Sequence, residues 1–433
     1  MSPNALVLVV DRLHLNYLGC FGNSWILTPA VDRLAWQGTC LDQVVLDHTS
    51  LSELYTSWLS GTHYFQRSGG LAPQPWLLEQ LQRRGVQTLL AADQPEVLSH
   101  PWSEHWQQQL ELPPAPAADS CAPGLEQTHL AQALAVVAEQ LQRLRGPFLF
   151  WVHLGSLGQV WDAPLEFRNR YVEDEEELPP PPDARVPGHV FTEEPDPDQL
   201  LGLRRAYAGQ VTLWDQCLGG LLAALEAHPG WHDTMLVVAS ARGFSTGLHR
   251  LFGWPLEGQP EPPWSELVHV PYLLVFGSAL AQAWRYPHLV QPPDLAPTLA
   301  AWWEVAIPPG LWGRDLLQLL RTEQDPQPRP LAPLGTPGPA WAVRTPAWHL
   351  YEEEALEEEP RLPEDELWVP EPLPAAHLFR KPDDRWEIND VADRLPDVVA
   401  RLRHRFWHWR RLAPEARWHE LPPLEEVLVQ GLE

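Results

Sequence analysis

The sequence predicts an α/β fold: a large mixed, mainly parallel sheet with helices on both faces, followed by a small C-terminal α+β subdomain. Two observations carry this. Short continuous apolar runs, the signature of strands buried on both faces, alternate with amphipathic stretches of helical length. That alternation over several units is the pattern of parallel strands joined by crossover helices. A third observation, the proline-rich stretch 325–340, divides a large domain (1–324) from a small one (341–433).

Taken in order, Ala5 to Val10 is an uninterrupted apolar run and reads as a buried strand. Thr28-Pro29 opens a helix, with Thr28 as cap and Pro29 at the first helical position. Trp76 to Arg84 is helical and stops at Gly85, and Val86 to Ala91 is the next strand. His129 to Arg145 has Leu130, Leu134, Val137, Leu141 and Leu144 on one face. Gly146-Pro147 ends it, and Phe148 to Leu154 is another buried strand. Leu200 to Ala227 reads as a helix, and Met235 to Ala239 and Tyr272 to Phe276 as strands. In the C-terminal part Trp341 to Val343 and His377 to Phe379 read as strands, and Val391 to Arg405 as a helix against them. The acidic runs Glu173 to Pro182 and Glu352 to Glu359, and the proline-rich Pro255 to Pro263, read as solvated loops. The competing reading of the acidic runs is a metal or basic-partner site.

Composition narrows the function classes. Hydrophobic residues make up 44 % of the 433, enough for a sizeable core. Thirty basic residues against 57 acidic ones leave a formal charge of −27, which argues against nucleic acid and anionic membranes as partners. No segment is long and apolar enough to span a bilayer, and the N-terminus lacks a basic region before its first strand. Cys20, Cys40, Cys121 and Cys217 show no paired spacing and read as free thiols. The expectation is a cytoplasmic protein. The chain holds 48 prolines and 23 tryptophans but one lysine, Lys381, so chemistry needing an amine has almost nothing to draw on.

Several segments, in order, resemble the sulfatases of the alkaline phosphatase superfamily. They are Val9-Val-Asp-Arg-Leu-His14, Leu18-Gly-Cys-Phe-Gly-Asn23, Thr28-Pro-Ala-Val-Asp-Arg-Leu34 with Gly38, Pro147-Phe-Leu-Phe-Trp-Val152 and Trp161-Asp-Ala-Pro164. Val237-Val-Ala-Ser240 with Gly243, Val270-Pro271, Asp294-Leu-Ala-Pro-Thr298 with Gly313-Arg314, and the segment His377 to Asp390 continue the series. The resemblance implies the family's fold. It also implies a divalent cation, usually calcium, held by carboxylates, and a Cys or Ser nucleophile oxidised to formylglycine, with lysines and histidines around the sulfate.

The departures fall on those parts. The paired N-terminal aspartates are Asp11 and Arg12, and the later metal pair is Ala241-Arg242, so Asp11 is the only family ligand retained. The family's nucleophile falls on Leu51, its Pro on Glu53 and its Arg on Tyr55; Thr49, Ser50 and Ser52 lie near enough to supply a hydroxyl, or to cap the helix Glu53 to Leu59. The family's sulfate-facing His falls on Gly158, leaving His153, His249 and His269 as candidate ligands or acids.

Three readings follow. The first is a catalytically degenerate sulfatase-like protein with no cofactor, whose Asp11, Arg12, Arg242 and His249 mark a former active site. There the two guanidinium groups replace the cation and would take an unidentified anionic small molecule or a carboxylate. The second is a divergent sulfuric- or phosphoric-ester hydrolase using Thr49, Ser50 or Ser52, with Asp11, His14, His48 or His249 collecting a metal, calcium included. The third is an interaction or assembly protein with tryptophan-rich faces.

Overall fold

The computed structural model describes residues 3–68, 70, 72–117, 119–173, 179–253, 262–277, 283–364, 376–412 and 422–431. Half of the acidic run 173–182 and most of the proline-rich 255–263 lie outside these residues. The chain divides into two compact units, 1–42 with 78–258 and 270–286, and 43–77 with 259–269 and 287–433.

The first unit is built on the strands β1 (Asn4–Val10), β2 (Thr39–Val44), β3 (Gln87–Ala92), β4 (Gln108–Glu111) and β5 (Phe148–Leu154). A two-residue strand β6 (His189–Val190) precedes β7 (Thr234–Ser240), β8 (Ser245–Thr246), β9 (Leu251–Gly253), β10 (Tyr272–Phe276) and β11 (Trp284–Val290), the last of which begins in this unit and ends in the second. The large sheet has the order β11-β2-β10-β7-β1-β5-β3-β4. From β7 to β4 every pairing is parallel, whereas β10 runs antiparallel to both β7 and β2. The sheet is therefore mixed and mainly parallel. β1, β5 and β7 are buried along their whole length, which is why each carries an apolar run of five or more residues. The helices His129–Arg143 and Pro197–Glu226 contribute Leu134, Val137, Leu141, Val211, Leu218 and Leu222 to the same core as Leu6, Leu8 and Phe150.

Thr28 stands at the cap position of the helix Pro29–Gln37, but its side chain does not cap it. Its hydroxyl accepts the Gly19 amide at 2.9 Å instead. The free amides of Ala30 and Val31 donate to the Asp215 carboxylate at 3.1 and 2.9 Å. An ionised acceptor at a helix start is favoured over a hydroxyl, and sequence spacing does not reveal one that arrives from another helix.

The second unit carries an antiparallel meander, β12 (Ala332–Gly335), β13 (Trp341–Arg344), β14 (Trp348–Glu352) and β15 (Ala376–Arg380). The stretch 325–340, read from composition as a linker, thus supplies a buried edge strand. Pro333 fits there because only one side of an edge strand needs its amides. The C-terminal helix is Pro396–Leu412, five residues later than its periodicity suggests. The residue before a proline is disfavoured in the helical region, and Leu395 sits outside it at φ −130°, ψ 54°. Trp341 of β13 stacks on Phe406 of that helix at 3.9 Å between ring centres.

Candidate functional site

At the carboxyl end of β1, the chain turns through Asp11 and Arg12. The Asp11 amide donates to the Leu154 carbonyl at 2.8 Å and the Ala241 amide to the Val10 carbonyl at 3.0 Å. The ends of β1, β5 and β7 therefore meet, as strand ends do at the crevice of an open α/β sheet. Arg12 has φ 66°, a left-handed conformation that costs a side-chain-bearing residue about 1 kcal/mol. The turn is fixed from outside. Tyr207 donates its hydroxyl to the Arg12 carbonyl at 2.7 Å and accepts the His14 amide at 2.9 Å, and the Leu13 amide donates to Ser240 Oγ at 3.2 Å.

Asp11 is 1 % exposed. Arg242 forks onto it, Nε to Oδ1 at 3.0 Å and Nη2 to Oδ2 at 2.5 Å. Gln94, just past β3, donates its amide to Oδ2 at 3.4 Å, and its carbonyl lies 2.9 Å from Nε2 of His153 on β5. Burial opposes ionisation of Asp11, but the Arg242 charge and fork, with Arg12 beside them, hold its carboxyl well below the ordinary carboxylate range. Burial pushes His153 down to about 4, so it is neutral. With the Gln94 carbonyl as acceptor, its Nε2 carries the proton. The Arg12 guanidinium reaches the Gly243 carbonyl at 3.5 Å, and its stem lies over Gly158.

These residues do not fit a divalent cation. Both oxygens of the one carboxylate face a guanidinium, a second guanidinium stands beside it, and Ala241 offers no ligand atom. Calcium takes six to eight oxygens.

Asp11, Arg12 and Arg242 come together as the sequence suggested. His249 lies half-buried in the turn between β8 and β9 and makes no hydrogen bond to Asp11. Gln94 and Tyr207 were not singled out from sequence; the only signal for Gln94 is its place just after a strand.

Thr49, Ser50 and Ser52 belong to the second unit, at the start of the helix Leu51–Ser60. Ser50 takes the cap position without a side-chain cap bond, and its amide donates to His48 Nδ1 at 3.0 Å. The side-chain cap expected of Ser50 is thus absent, and Ser52 lies inside the first turn of the helix rather than before it. Thr49 is buried, and its Oγ1 has no hydrogen-bond partner among the described residues. Leu51, at the family's nucleophile position, is a buried core residue. Around it runs a polar network absent from the sequence reading. Ser57 donates to Asp47 Oδ2 at 2.6 Å, Arg67 donates to Ser57 Oγ at 3.0 Å, and Arg67 pairs with Glu53 at 2.7 Å. Burial pushes Asp47 up to about 6. Glu53 and Arg67 therefore form an ion pair at the position of the family's proline.

Lys381 is buried, with Nζ 2.9 Å from Glu387 Oε1. Burial lowers it to about 8, and its partner also accepts from Ser265, so it serves a structural ion pair.

The sulfatase family model matches residues 3–305. Over 68 residues, 16 % of the chain, the sequence is 37 % identical to arylsulfatase D of Homo sapiens and to steryl-sulfatase of Rattus norvegicus. That stretch spans only 11 % and 12 % of those two proteins. Among solved structures, the phosphonate monoester hydrolase of Agrobacterium radiobacter superposes with a TM-score of 0.72 at 15 % identity, covering 95 % of this chain and 96 % of that one. A 2-O GAG sulfatase does so with a TM-score of 0.70 at 14 % identity, covering 95 % and 93 %. At such identities the likeness is one of fold. Among the described residues, no helix is long and apolar enough to cross a membrane.

Proposed function

The chain belongs to the sulfatase family, and from that premise we propose that it is a catalytically silent member whose cation centre is closed by an ion pair. The carrying observation is the two-pronged contact of Arg242 with Asp11, the one family ligand retained. A guanidinium cannot deprotonate to make way for a cation. The nucleophile position supports the same reading, since Leu51 is apolar and the neighbouring Glu53 is committed to Arg67. Two guanidiniums beside one carboxylate give the Asp11 centre planar forks for a second anionic group, a small oxyanion or a protein carboxylate. The reading carries a cytoplasmic location, on four free thiols.

One observation favours a second reading, a divergent ester hydrolase: the buried, unpartnered hydroxyl of Thr49. A turnover assay separates the two. Aryl sulfate and aryl phosphate esters are expected to show no saturable hydrolysis. Saturable hydrolysis lost in Thr49→Ala, with unchanged folding, would establish the second. Sulfate or phosphate should raise the melting temperature more than chloride at matched ionic strength, and Arg12→Ala should abolish the difference.

A further inference from the structure

On the helix Pro396–Leu412, His404 and His408 stand one turn apart on one face, and Glu359 of the acidic run reaches them. The two Nε2 atoms are 3.0 Å apart. Glu359 Oε1 lies 2.9 Å from Nε2 of His408 and 3.9 Å from Nε2 of His404. All three residues lie in the second unit.

Hydrogen bonding alone does not account for this convergence. Each Nε2 carries at most one proton. If His408 donates to Glu359, its nitrogen has no lone pair left to accept from His404. If it donates to His404, its contact with the carboxylate goes unmade or is shared at poor geometry. A cation in the middle satisfies all three atoms at once. Ligand atoms about 2.0–2.1 Å from a tetrahedral zinc are about 3.3 Å from one another, and the three separations straddle that value.

We propose that His404, His408 and Glu359 form a transition-metal site of the zinc type. Two imidazoles at i and i+4 on a helix with one carboxylate suit zinc and disfavour calcium or magnesium, which prefer all-oxygen sets. The surrounding charges leave these ligands available. Arg401 pairs with Glu364, and Arg405 pairs with Glu425 at 2.9 Å. Three protein ligands leave a fourth position open. A cavity of about 270 Å³ borders both histidines, with Leu331, Trp409 and Leu424 in its wall, so the open position has room for water or a small exogenous ligand. None of the residues of the Asp11 centre takes part. The signals in the sequence are the spacing His404-x-x-x-His408 and the acidic run that ends at Glu359.

Isothermal titration of the full chain with zinc chloride at pH 7.5 tests the site. One saturable equivalent is expected, undisplaced by millimolar calcium, and lost in a His404→Gln/His408→Gln protein. Glu359→Gln should weaken binding about tenfold or more, the lower end of what loss of a supporting carboxylate costs a metal site. Cobalt in place of zinc should give visible absorption bands that the double variant lacks. Both histidines are at least partly exposed. In the absence of zinc the double variant should therefore melt at the temperature of the zinc-free wild type, which separates loss of ligands from loss of fold. Absence of a saturable equivalent, or its persistence in the double variant, overturns the site.

Discussion

Gly158 has no side chain where the stem of Arg12 needs the space: a Cβ built on Gly158 would lie 2.9 Å from Arg12 Cγ and 3.8 Å from Asp11 Oδ2. The position at which the sulfatase pattern places a histidine and the position at which it places a second aspartate are therefore coupled in this chain. A histidine at 158 and the arginine at 12 cannot both be accommodated unless the Arg12 side chain or the strand-end turn shifts.

That coupling is measurable. Gly158→Ala should destabilise the protein by about 1–3 kcal/mol, the range for overpacking a filled site. In an Arg12→Ala background, where the obstructing Cγ is gone, the same change should cost little. Urea unfolding of the four proteins closes the cycle, and equal costs in both backgrounds would dismiss the contact.

The Arg242–Asp11 pair makes a second cycle. Arg242→Gln leaves a carboxylate 1 % exposed with its main partner gone, a loss of about 3–5 kcal/mol for a broken buried pair. Asp11→Asn added to Arg242→Gln should recover a large part of it. Strictly additive losses would mean the two side chains are not energetically paired.

Acid should weaken the fold through His153. Its folded value of about 4 lies below the ordinary 6.5, so between those values the unfolded chain binds more protons. The resulting stability is complete above pH 6.5 and is lost as pH falls through about 4, to an extent of about 3 kcal/mol. His349, also at about 4, acts in the same sense, while Asp47 and Asp215, raised to about 6, act oppositely. Comparing His153→Gln with the parent isolates one group. The variant should lose less stability between pH 7 and pH 4, and parallel profiles would refute the assignment.

Calcium gives the simplest check on the closed centre. Ligands of the native state raise its melting temperature by mass action. Calcium to 5 mM should therefore shift the melting temperature no more than sodium at equal ionic strength. A calcium-specific rise abolished by Asp11→Asn would show that the arginine fork yields to a cation.

The strands that position the Asp11 centre were legible because burial on both faces writes itself as uninterrupted apolar runs. Phe148–Leu154 and Tyr272–Phe276 match their sequence-read limits residue for residue. Asp11, Arg12 and Arg242 were legible through the family pattern, which says what each position ordinarily holds. What was not legible depends on atoms brought from far along the chain. Asp215 as the cap of Pro29–Gln37, Gln94 on Asp11, and Arg67 on Glu53 are long-range choices of partner, and neither periodicity nor spacing encodes them. The start of the C-terminal helix was misplaced because periodicity continues through Val391–Leu395, while Pro396 alone decides where helical geometry begins.

The central place of β1 has a consequence for how the protein is made. Its two neighbours in the sheet are β5 and β7, which begin at Phe148 and Thr234. At about 5–20 residues per second, synthesis reaches the second of them roughly ten to fifty seconds after β1 has been polymerised. Until Phe148–Leu154 has followed, a strand of five consecutive aliphatic residues after Ala5 has neither neighbour, and until Thr234–Ser240 it still lacks the second. Its backbone edges and both its faces are open to other chains. A chaperone that holds nascent apolar segments would cover that strand until its sheet neighbours are made.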